Sequence, residues 1–120
     1  MNKQDELLAE NIRRDIEKAD SEIEGLHNAI TRIDQFEEEL TEDLRCITRD
    51  TGRIYDYWRG AEAQKCVNTI LDSGQDSVKQ MRLKANTLYD EATHDIARLG
   101  QKREDLKHEL TSVEAPKEDR

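Results

Sequence analysis

From Ile16 onward, apolar residues recur in two columns spaced by seven, and the columns run to the only tryptophan of the chain. One column reads Ile16, Ile23, Ile30, Glu37, Leu44, Thr51, Trp58, and the other Ala19, Leu26, Ile33, Leu40, Ile47, Ile54. Eleven of these 13 positions are apolar, and Phe36 lies next to the polar Glu37. A 3-4 spacing held for this long specifies a helix that packs lengthwise against other helices. Leu8 and Ile12 carry the stripe backward, which places the start of the helix near Lys3 or Asp5.

The second half has columns of its own. Leu71, Val78, Ala85, Ala92, Leu99, Leu106 and Val113 recur every seven residues without a polar lapse. Their companion column, Val67, Gly74, Met81, Leu88, Asp95, Lys102, weakens toward the C-terminus, where Ile96 covers only the first failure. Between the two ladders lies Trp58-Arg59-Gly60, almost at the midpoint of the 120 residues. Glycine there permits a left-handed stop to the first helix. The fold expected is all-α: an antiparallel two-helix hairpin over residues 1–113. Helix 1 is expected over about 4–50 or 4–57, a turn between about 50 and 62, and helix 2 over about 62–113. Fraying or a kink is expected around Thr51-Gly52, and a bend at Asp72-Ser73-Gly74. Residues 114–120 are charged, contain the only proline, and are expected to be disordered.

Two helices with 34% apolar and 39% charged residues make a marginal core, so the stripe is expected to be completed by a helical partner in a bundle. The edge left for that partner is drawn from Ile23, Leu26, Ile30, Ile33, Leu40 and Leu44 on the first helix and Leu71, Val78, Met81, Leu88 and Leu99 on the second. Tyr55 and Tyr57 beside Trp58 make the turn the aromatic end of a chain with only 4% aromatics, and aromatic residues are enriched at interfaces. Trp58 and Gly60 are the turn motif, and Tyr55 joins the partner-binding set.

Charge excludes several functions. Residues 1–60 hold 16 acids against 9 bases and residues 61–120 hold 12 against 10, for a net charge of −9. That balance argues against nucleic acid, whose phosphates need a basic face, and against anionic lipid. The first residues lack an apolar signal segment and no long apolar run follows, so neither a classical secretory signal nor membrane insertion is expected. His27, His94 and His108 are too scattered to share a metal, and no Cys-X-X-Cys or phosphate loop occurs. No cofactor and no catalysis are expected. Cys46 and Cys66 lie equally far from residue 56, but without a secretory signal they read as reduced thiols.

A central Trp-X-Gly between helices of similar length, in an acidic chain, resembles the Trp-X-Gly (WXG) superfamily of Esx-like small proteins of type VII secretion. The resemblance covers the pattern of about residues 5–113, and its specific motif is Trp58-Arg59-Gly60. It implies a helical hairpin that pairs side by side into a four-helix bundle. The family's export signal, Tyr-X-X-X-Asp/Glu after the second helix, has no match: Tyr89 is followed four residues later by Thr93. The chain is therefore more similar to the small helical accessory proteins that accompany LXG toxins in Gram-positive type VIIb systems. That similarity implies a targeting factor or chaperone that binds the helical N-terminal domain of an LXG toxin, a second small WXG-like accessory protein, or both. It implies a cytoplasmic protein that can leave with its cargo. A structural coiled-coil homodimer and a secreted Esx-like effector are the alternatives.

Overall fold

The computed structural model describes residues 2–115 of the 120. Two helices account for nearly all of them: α1, Lys3–Tyr57, and α2, Ala61–Glu114. They pack against each other as an all-α helical hairpin. Asn2 caps α1, its Oδ1 accepting from the Asp5 backbone N–H at 2.8 Å. Asp5 and Glu6 then place negative charge at the positive end of the helix dipole.

Of the two expected ends the later is found: α1 is helical to Tyr57 without a break at Thr51-Gly52. Thr51 is only 4% exposed, and its hydroxyl donates to the Ile47 and Thr48 carbonyls at 2.7 and 3.0 Å. A satisfied hydroxyl can sit in an apolar seam, so this polar step in the ladder does not break it. The turn is consequently just Trp58-Arg59-Gly60. Trp58 N–H still donates to the Ile54 carbonyl at 2.8 Å, and the Arg59 guanidinium donates to the Tyr55 carbonyl at 3.2 Å. That cation serves the carbonyl end of α1, which has no basic residue in its own last turn. Gly60 has φ of 122° and its carbonyl accepts the first bond of α2, from Gln64 N–H at 3.0 Å.

A Cβ at Gly60 would meet nothing within 4 Å, so the penalty for Ala there is conformational rather than steric. Gly60→Ala is expected to lower stability by about 1–3 kcal/mol, read as a lower urea midpoint with an unchanged m-value.

The chain divides into two compact units, one drawn from Met1–Ile30 and Glu91–Arg120, the other Thr31–Asp90, which contains the turn. In the first, Ala9, Ile12, Ala19, Ala92 and Leu99 are buried. Arg103 pairs with Asp20 at 3.0 Å, and Arg13 with Glu114. These pairs link α1 to α2 at the surface, where such bridges add little stability. Glu114 thus belongs to α2; residues 116–120 of the expected charged tail lie outside the described part.

In the Thr31–Asp90 unit, Leu40, Ala63, Val67, Val78 and Ala85 are buried, as is Thr51. The helix continues unbroken through Asp72-Ser73-Gly74. Gly74 is there for proximity: an added Cβ would stand 3.3 Å from Ile47 Cγ2, so the missing side chain is what lets α2 approach that residue.

Candidate protein-interaction surface

The second ladder does not face α1 in the register its spacing suggests. Inward positions on α2 run Val67, Leu71, Gly74, Val78, Arg82, Ala85, then Ala92, Ile96, Leu99, Arg103, Leu106, Leu110 and Val113. From Val67 the steps of four and three alternate except at Gly74-Val78-Arg82, where two fours follow each other, and between Ala85 and Ala92, where every residue is exposed. A strict seven-residue column drifts by about 20° per heptad around an α-helix, and a doubled step of four restores the face. The companion column therefore changes from three residues after the main column to four. Ile96 and Arg103 are half-buried beside the two polar lapses of the seven-residue column, of which Asp95 is half-buried and Lys102 exposed.

This phase change leaves two apolar residues outside the seam. Met81 is 46% and Leu88 56% exposed, while Arg82, one residue on, turns inward and donates to Thr41 Oγ1 at 2.7 Å. On α1, Phe36 is 40% exposed and Glu37 half-buried. Phe36 does not replace Glu37 in the seam, because neighbouring helical residues point about 100° apart. Instead it stands outside it with the half-buried Ile33.

Together Ile33, Phe36, Met81 and Leu88 wall an open groove of about 270 Å³, with Ala85 in its lining and Arg32 and Lys84 at its sides. Ala85 is only 3% exposed, and its small side chain, between Val78 and Ala92 in the column, leaves room at the floor of the groove.

The other residues expected at a partner edge divide by burial. Leu40, Val78 and Leu99 are 4–6% exposed; they are covered by the hairpin itself and cannot meet a partner. The 3-4 ladder identified them as apolar and inward, but such a pattern cannot tell an intramolecular seam from an intermolecular one. Ile23, Leu26, Ile30, Leu44, Tyr55 and Leu71 are half-buried at the flanks. Leu26 borders a shallow recess with Gly25, Asp95, Arg98 and the buried Leu99. Phe36 and Leu83, the latter 52% exposed, were absent from the expected set. Each lies off the seven-residue columns, and the signal that could have found them was an apolar residue out of phase with its ladder.

At the turn, Trp58 is 45% and Tyr57 93% exposed. Farther along α2, Ile70 is 43% exposed above a recess with Glu62, Lys65, Cys66 and Thr69. Cys46 and Cys66 are unpaired. Among the described residues no group of three or more His, Cys, Asp or Glu side chains could hold a metal ion, and no helix is long and apolar enough to cross a membrane. What the surface offers chemically is apolar area flanked by charge, the composition of a protein-docking face.

Comparison with family models, with curated proteins and with solved structures finds no match to this chain.

Proposed function

We propose that the chain is a non-enzymatic targeting factor or chaperone. It binds the helical N-terminal domain of a type VII secretion effector of the LXG-toxin kind, alone or with a second small WXG-like protein, and assists its export from the cytoplasm. The observation that carries this reading is the apolar groove of Ile33, Phe36, Met81 and Leu88, side chains that the hairpin holds in place without covering. A groove along two helices is shaped to receive a third as a bundle contact. The Trp58-Arg59-Gly60 turn supports the same reading. The hydrogen bonds from Trp58 N–H and Arg59 and the φ of Gly60 account for the reversal of the chain, yet none of them uses the indole. Its exposed ring is free for recognition by another component.

The two features make separable predictions. Ile33→Asp puts a carboxylate into the groove wall and is expected to reduce co-purification of a co-encoded effector by about tenfold or more, since burying an unpaired polar group costs at least 1–3 kcal/mol. Trp58→Ala lies outside the groove and is expected to leave capture largely intact while lowering export from cells. Glu38→Ala, on the exposed face, is the silent control. If Ile33→Asp and Trp58→Ala both leave capture and export unchanged, the targeting reading is wrong.

A further inference from the structure

The charge around the groove runs against the character of the chain. Acids outnumber bases by 28 to 19 overall, and between Glu22 and Asp43 there are eight acids and one base, Arg32. Yet the groove lining contains no acid, and its two charged residues are Arg32 on α1 and Lys84 on α2. Among the described residues neither comes within 4.0 Å of a carboxylate, whereas Arg13, Arg45, Arg49 and Arg103 each do. Arg82, the nearest other base on α2, is engaged with Thr41.

We infer that the groove receives an amphipathic helix from a partner of different sequence, one with carboxylates flanking its apolar ridge, and that Arg32 and Lys84 pair with those carboxylates. This deepens the targeting reading and rests on it for the source of the helix. Met81 and Leu88 are seven residues apart, about 10.5 Å or two turns along α2. The occupant must therefore offer apolar side chains over about two turns, at i, i+3 or i+4, and i+7, with the one opposite Ala85 large enough to fill the space above it. A second copy of this chain fits poorly. A two-fold interface brings the same patch together from both sides, so Arg32 and Lys84 would face a second groove whose lining holds two bases and no acid, between molecules of net charge −9. Opposite charges at an interface rim set which partner is accepted and how fast it arrives.

The test uses the full chain and two labelled synthetic peptides, each of about three helical turns with leucines at i, i+3, i+4 and i+7. One carries Glu on both flanks of the ridge and the other Lys. By fluorescence anisotropy at low salt the Glu peptide is expected to bind about tenfold tighter, a preference that shrinks as salt screens the pairs. The doubly reversed variant Arg32→Glu/Lys84→Glu, changed only at exposed positions, is expected to keep its helical circular dichroism and invert the preference. Met81→Asp is expected to weaken both peptides. Equal or tighter binding of the Lys peptide overturns the inference, as does the absence of binding by either peptide at millimolar concentration. A wild-type dimer that Phe36→Asp dissociates also overturns it, with a second copy as the occupant. If an effector co-purifies as well with Arg32→Glu/Lys84→Glu as with wild type, the site assignment fails and the targeting reading stands. If the peptides follow the charge rule while no effector depends on the chain for export, the targeting reading fails and the groove keeps its assignment.

Discussion

Leu40→Asp is expected to unfold the hairpin around its turn. Leu40 is 4% exposed, one of the buried side chains of the Thr31–Asp90 unit with Thr51, Ala63, Val67, Val78 and Ala85. Truncating a buried leucine to Ala costs about 2–5 kcal/mol, and a carboxylate left there without a partner adds its own desolvation. Whole domains are stable by only about 5–15 kcal/mol. A chain with 34% apolar residues and no large side chain under 2% exposed belongs at the lower end of that range. The expected result is loss of most helical circular dichroism at room temperature. Leu40→Met should cost less than about 1.5 kcal/mol, and Leu83→Asp, at a position 52% exposed, should change stability by about 0.5 kcal/mol or less. An Asp at 40 that melts like wild type would mean that this leucine is not in the seam.

Leu40 also marks what the sequence could and could not reveal. Its place in a column of apolar residues spaced by seven was enough to predict that it points inward, and the ladder as a whole predicted α1 and the reversal near Trp58. The ladder did not show which helix Leu40 meets, so it was counted toward a shared edge along with Val78 and Leu99. The end of the first helix was legible only as a choice between 50 and 57: Thr51 and Gly52 have poor helix propensity, but a buried hydroxyl bonded to carbonyls one turn back outweighs about 1 kcal/mol of propensity. In α2 the error was periodic. Following Asp95 and Lys102 as the companion column assumed a strict repeat of seven, whereas the real seam takes an extra step of four at Arg82. The groove exists because of that step. Met81 and Leu88 continue the old column after the seam has moved off it, and side chains 46% and 56% exposed add little to the hairpin's own stability.

That argument predicts the behaviour of a double variant. Phe36→Asp/Leu88→Asp changes residues 40% and 56% exposed, so the isolated hairpin should keep its helical content and unfold within about 1 kcal/mol of wild type. Its response to a partner should differ sharply. A helical ligand that binds only the folded chain stabilises it by about 2.7 kcal/mol when present at 100 times its dissociation constant, and for a domain of this size each kcal/mol raises the melting temperature by roughly 2–8 °C. The wild-type chain should therefore show a rise of several degrees or more when mixed with the effector's helical domain. The double variant should show almost none, because two carboxylates on opposite walls of the groove would be desolvated by any apolar ridge entering it. Both walls are changed at once so that a helix leaning on one of them cannot compensate. Differential scanning calorimetry of the two chains, each with and without the helical domain, measures the difference directly. Equal stabilisation of both would place the partner elsewhere, with the exposed Tyr57–Trp58 end the next surface to change.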